Sequence, residues 1–195
     1  MSGSPAVRAT YLRSLLARCD ELGPVGVEVR DRLGDARQTS IECAGPLVWL
    51  PIEADVAVQR ALDEILGAEQ ARSFMISSLR ELWSGSAIQP VVFAATGLFG
   101  LNPGSFAKLV PLAWSLLYRD CGRWVVSDSQ RVGSRREVEM QLLALPEPCA
   151  VEPAWLAAVV TVLHGLLVLC DVEGEVELAQ RDPKSDLASF KLSWG

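Results

Sequence analysis

The chain has 195 residues, half of them hydrophobic and 22% charged, with a formal net charge of −6. That length and balance fit one folded domain with a substantial core rather than a disordered segment. The acidic excess excludes general nucleic-acid binding, which needs cationic groups to displace phosphate counterions. Five widely spaced cysteines with no Cys-x-x-Cys pair exclude a zinc ribbon or a dithiol redox centre, and they fit reduced thiols in the cytoplasm. Residues 1–9 lack the apolar core of a secretory signal.

In chain order, Val7, Tyr11, Leu15 and Leu22 recur near one face and predict a helix over 7–22, stopped by Gly23-Pro24. A short helix follows to Leu33 and Gly34, while 38–43 fits either a short strand or a loop. Trp49-Leu50-Pro51 leads into a helix over 52–66, with Val56, Leu62, Ile65 and Leu66 as its stripe and Gly67 as its stop. A further helix covers 68–83, and Ser84-Gly85-Ser86 breaks it. Residues 87–101 are apolar on all sides and read as a buried helix. Asn102-Pro103-Gly104-Ser105 is turn chemistry, and 106–118 resumes a helix that Pro111 bends in its first half.

The period changes after Gly122. Trp124 and Val126 alternate with Arg123, Val125 and Ser127, and Val138, Met140 and Leu142 with Glu137, Glu139 and Gln141, which predicts an antiparallel hairpin with a tip at Gly133. An uncharged stretch of ~17 residues over 154–170 is at the short edge for a bilayer and reads as a central core helix rather than a membrane span. Val176 and Leu178 alternate again, and Phe190, Leu192 and Trp194 share one face of a closing strand. The expected fold class is α+β. The helical N-terminal two-thirds packs on a late antiparallel sheet of about four strands, in the order strand-strand-helix-strand-strand.

The sequence carries no reaction signature. His164 is its one histidine and has apolar chain neighbours; the expected state is a packed ring bonded to a helix carbonyl, with a haem-type contact as the functional alternative. Cys170 beside Asp171 reads as a buried thiol, and the serines lack a nucleophile elbow. Arg131, Arg135 and Arg136 at the hairpin tip read as a solvated turn, or as a contact for an anion or an acidic partner.

As an ensemble, Trp49-Leu50-Pro51 before a helix, Leu66-Gly67, Pro111-x-x-Trp114, Trp155 opening an apolar helix that contains Gly165, and the closing Phe190-Lys191-Leu192-Ser193-Trp194 resemble a myxobacterial paralogous protein family. More remotely, the late strand order is similar to the superfamily that joins 4-vinyl-reductase domains, haem-NO-binding domains and TRAPP Golgi-transport subunits. The resemblance spans 46–195. It implies a ligand-binding α+β core there, with 1–45 as a helical N-terminal extension of the same single domain. It also implies an apolar cavity between helices and sheet, and dimers formed through helices. The haem-NO family's ligand histidine has no counterpart, since His164 lies on the late central helix, and the acylated cysteine of the transport subunits has none either. No cofactor is therefore expected.

These readings favour a non-enzymatic regulatory or scaffold module, a homodimer with a protein partner, able to hold a small apolar ligand. Candidate pocket or interface residues are Phe93, Phe99, Trp114, Trp155, His164 and Cys170, with no metal site. The alternatives are an enzyme acting on an apolar small molecule, or a haem-type sensor using His164.

Overall fold

The computed structural model describes residues 3–84, 102–182, 184 and 186–195. Its first element is a strand rather than a helix: Ala6–Arg8 (β1) precedes α1 (Ala9–Asp20), so the predicted helix over 7–22 starts two residues late. Val7 follows the helical period of Tyr11 and Leu15, yet its backbone pairs with Leu50 of β2 (Trp49–Pro51) on one side and Tyr118 of β3 (Tyr118–Arg119) on the other. This three-stranded sheet has strands of two or three residues, too short to show any alternation. It matters because it brings the middle of the chain against its beginning.

Four further helices complete the N-terminal part: α2 (Pro24–Leu33), α3 (Asp35–Glu42), α4 (Ile52–Leu66) and α5 (Ala68–Ser84). α3 replaces the strand or loop expected over 38–43. It contributes one fully buried residue, Ile41, so its polar sequence shows no stripe. α4 and α5 break at Gly67, whose φ of 73° closes the first helix. The apolar stretch 87–101, with Phe93 and Phe99, lies outside the described residues.

The single bent helix expected over 106–118 is instead two pieces, α6 (Pro103–Ala107) and α7 (Val110–Leu117). Asn102 caps α6 by accepting the Gly104 N–H at 2.8 Å, and Pro111 sits in the first turn of α7, where its missing N–H costs nothing. A proline expected to bend a helix marks the start of a new one.

The late sheet is antiparallel throughout, in the order β4-β6-β8-β7, from Arg123–Val126 (β4), Arg135–Leu143 (β6), Gly174–Asp182 (β7) and Leu187–Trp194 (β8). Gln130–Val132 (β5) adds to β6 at the hairpin tip. Val138, Met140 and Leu142 of β6 lie opposite Leu192, Phe190 and Ala188 of β8, and all six are buried. Trp194 pairs with Arg136 on one side and Gly174 on the other and is only 6% exposed. A Cβ on Gly174 would lie 2.2 Å from the Ser193 carbonyl oxygen, so the close approach of β7 and β8 there requires glycine.

Between the hairpin and β7 run the short α8 (Glu147–Val151) and the long apolar α9 (Pro153–Leu169). α9 packs on α4 and α5 and on β7 and β8, so it is the element shared by the helices and the sheet. Glu152 caps it by accepting the Ala154 N–H, and Arg60 of α4 donates to the same carboxylate through Nε at 2.7 Å. The N-terminal end of α9 is thereby tied to α4. Among the described residues no helix is long and apolar enough to cross a membrane.

Candidate functional site

The tie between α4 and α9 leads to the most unusual residue of the core. On α4 the face Ile52, Asp55, Val58, Gln59 and Leu62 is buried, and Asp55 has no exposed surface at all. Its side chain accepts hydrogen bonds from three elements. Gln59 Nε2 donates to Oδ1 at 3.0 Å; Tyr118 Oη and Trp155 Nε1 donate to Oδ2 at 3.0 and 2.8 Å. The Gln59 amide also donates to the Tyr11 hydroxyl of α1 at 3.3 Å. Among the described residues no cationic side chain pairs with Asp55. Its place in the first turn of α4 gives it the positive end of the helix dipole instead.

The rings around this carboxylate form a frame. Trp114 of α7 stacks on Tyr118 with centroids 4.1 Å apart and planes at 25°. Trp155 stands edge-on to both, at 80° to Trp114 and 85° to Tyr118, and Tyr11 meets Tyr118 at 61°. The Trp114 indole N–H donates to the Cys121 carbonyl at 3.3 Å. The small sheet sets Tyr118 beside β1, α4 sets Asp55, and the capped N-terminus of α9 sets Trp155. Beside them lies an apolar cavity of about 90 Å³, walled by Asp55, Tyr118, Trp155, Trp114, Ala113 and Ala158 among others.

Burial dominates the electrostatics. It pushes the Asp55 carboxyl above its usual range, while the three donors pull it back. Tyr118 and Tyr11 are pushed up first by burial and then by Asp55, so both hydroxyls remain neutral. The Cys121 thiol is pushed up to about 12 and Cys149 higher still, again mainly by burial.

Of the residues predicted from sequence, Trp114 and Trp155 meet at this cavity, whereas His164, Cys170 and the three arginines do not line it. On α9 the cavity face is Trp155, Ala158, Val159, Val162 and Leu166. Nine residues at ~100° each turn His164 about 180° from Trp155. Among the described residues its buried Nδ1 has no hydrogen-bond partner, so that nitrogen does not make the carbonyl bond expected of the ring. Burial first, and Arg72 second, lower its pKa and keep the ring neutral. Cys170 caps the far end of α9, its thiol pushed up to about 11 by burial, which makes it a poor nucleophile. Arg131 and Arg136 face each other across β5 and β6, and Arg135 lies 3.6 Å from Glu175. All three arginines are exposed. Among the described residues no group of His, Cys, Asp and Glu could hold a metal.

Asp55, Gln59, Tyr11 and Tyr118 escaped the sequence reading. One signal was present: Asp55 and Gln59 stand four apart in the row Ile52, Asp55, Val58, Gln59, Leu62, two polar residues on the face that an amphipathic helix buries.

No family model and no curated protein matches the chain. Solved structures do. A variant of the T. tengcongensis H-NOX (haem-NO-binding) domain superposes with a TM-score of 0.61 at 12% identity, covering 96% of each chain. An oxygen-binding H-NOX domain related to soluble guanylate cyclases gives 0.58 at 13% identity, covering 96% of this chain and 93% of that one. The K. algicida H-NOX protein in its Fe(II) unliganded state gives 0.59 at 8% identity, covering 96% of each.

The fold is that of haem-NO-binding domains. This corrects the expectation that no cofactor is involved, because the structures sharing the fold are haem proteins. Whether haem suits this particular cavity depends on space and donors. Pockets for ligands and cofactors commonly enclose ~300–1,000 Å³, against about 90 Å³ here. The chain's one histidine lies on the opposite side of α9. The Asp55 cavity therefore does not fit a histidine-ligated haem, and no haem chemistry is assigned to it.

Proposed function

We propose that this chain is a small-ligand sensor module of the haem-NO-binding fold, with its ligand seat in the cavity beside Asp55. The observation that carries the reading is a fully buried carboxylate with three donors and, among the described residues, no cationic partner, at the wall of an aromatic cavity. Burying an ionised carboxylate costs several kcal/mol, and a position serving stability alone is better filled by an aliphatic side chain. The walls come from α1, α4, α5, α7, α9 and β3, so an occupant would act on the contact between the N-terminal helices and α9. That arrangement favours a sensor over a passive scaffold, and the ligand-binding neighbours of the same fold support it.

The same proposal treats 1–195 as one unit, related by its tryptophan and proline motifs to the myxobacterial paralogous family. Leu112 and Leu116 of α7 are 50% and 38% exposed, which supports a two-fold dimer or a protein partner on that helix. Five free cysteines, four of them buried, support a reducing cytoplasm.

Differential scanning fluorimetry of wild type and Ala158→Leu against a panel of small ligands, hemin included, tests the seat. Leucine at 158 fills the cavity. A ligand that raises the wild-type melting temperature and leaves the variant unmoved is the expected result. Ligands that stabilise both proteins equally contradict the seat.

A further inference from the structure

Building on that seat, we infer that its occupant is a small organic cation of the alkylammonium class, held by the Asp55 carboxylate and the rings of Trp114, Tyr118 and Trp155. The chemistry of the walls selects this class. Tyr118 and Trp155 stand at 85° and are pinned to one carboxylate oxygen, Asp55 Oδ2, so rings and negative charge share a corner of the cavity. Trp114 lies nearly parallel to Tyr118 and adds a third aromatic wall. Aromatic rings attract alkylammonium groups through their quadrupoles, more strongly where water is excluded. Apart from Gln59 and Tyr11, which are engaged with each other and, through Gln59, with Asp55, the remaining described lining is apolar, Val110, Ala113, Ala158 and Val162 among it, and suits the alkyl part of such an ion.

Other occupants suit the walls less well. An anion would meet the carboxylate with no cationic side chain among the described lining residues to offset it. A metal ion needs several oxygen, nitrogen or sulfur ligands, and Asp55 is the one carboxylate among the described lining residues. A neutral apolar molecule would leave the carboxylate with no role in binding. About 90 Å³ also limits the occupant to a few heavy atoms around the charge.

Binding should then be coupled to a proton. Without a cation, burial favours the protonated carboxyl of Asp55; a bound ammonium favours the carboxylate, so occupancy releases a proton and strengthens as pH rises. Among the described residues the titratable groups facing Asp55 are Tyr11 from α1, Tyr118 from β3, Cys121 before β4 and Cys149 from α8. Burial raises all four and leaves them neutral, so Asp55 alone changes charge.

The test is isothermal titration calorimetry on the full chain at pH 5.5 and 8, with tryptophan fluorescence in parallel. Two cation pairs serve as probes: choline against 3,3-dimethylbutan-1-ol, and tert-butylammonium against tert-butanol. Each pair differs in charge far more than in shape. We expect saturable binding of at least one cation, at least tenfold tighter than its neutral partner, tighter at pH 8, and absent in Ala158→Leu. Asp55→Asn should reduce cation binding to the level of the alcohol. Equal affinity within both pairs overturns the cation assignment and leaves the seat standing. So does silence from all four probes when another ligand in the fluorimetry panel is blocked by Ala158→Leu. Cation binding unchanged in Ala158→Leu places it elsewhere and also overturns the inference. No ligand of any kind sensitive to Ala158→Leu defeats the seat itself.

Discussion

Asp55 and His164 are two residues whose surroundings fail to match their polarity in the ordinary way, and they fail in opposite directions. Asp55 has three donors and, among the described residues, no counter-charge. In Asp55→Asn the two carboxylate oxygens become one acceptor and one donor, so a buried bond from Gln59 or from the Tyr118–Trp155 pair is lost. The expected cost is about 1–3 kcal/mol. Because burial raises the folded-state pKa of Asp55, its contribution is fully present below the unfolded value, ~3.9, and is lost as pH rises through the folded value. The stability gap between wild type and Asp55→Asn in urea should therefore narrow from pH 4 to pH 8, and a widening gap contradicts the assignment. His164 has the reverse sign. Its folded pKa is lowered, so the unfolded chain takes up protons first and wild-type stability falls as pH drops through ~6.5. His164→Leu removes an orphaned buried nitrogen and should be neutral or stabilising at pH 7, with its advantage growing at pH 5. Since the ring faces away from the cavity, His164→Leu should also leave any hemin titration, followed by Soret absorbance, unchanged. A midpoint well below wild type at pH 7, or loss of a Soret band, would show that His164 holds a partner.

At the scale of elements, the late sheet and α9 could be read from sequence because their patterns are long. Eight residues of β8 alternate around Phe190, Leu192 and Trp194, and α9 carries no formal charge over its length. The three-stranded sheet could not be read. Its strands have two or three residues, and Val7, Leu50 and Tyr118 come together from distant parts of the chain. The split between α6 and α7 was hidden for another reason: proline serves equally as a kink within a helix and as its first turn. β8 yields the firmest prediction. Trp194 is paired on both sides and nearly buried, so Trp194→Ala should cost on the order of 3–5 kcal/mol by chemical denaturation. A midpoint equal to wild type would mean that this strand does not close the core.

Over the whole molecule, the fold could be anticipated from the order of its elements, while the candidate site could only be half anticipated. Trp114 and Trp155 stand out in the sequence as pocket or interface candidates. Tyr11, Asp55, Gln59 and Tyr118 become a cluster only after α1, α4 and β3 are brought together, and nothing in local spacing encodes that meeting. The exposed face of α7 belongs to the same scale. If it joins two copies, light scattering at tens of micromolar should give a dimer mass, and Leu112→Glu should return it to monomer; a wild-type monomer removes the dimer from the account. The central claim, that the Asp55 cavity is a ligand seat, is tested most directly by native mass spectrometry of protein purified from its own host beside Ala158→Leu. The account predicts a small non-covalent mass on the wild type that is missing from the variant. The same bare mass for both, or the same adduct on both, would contradict it.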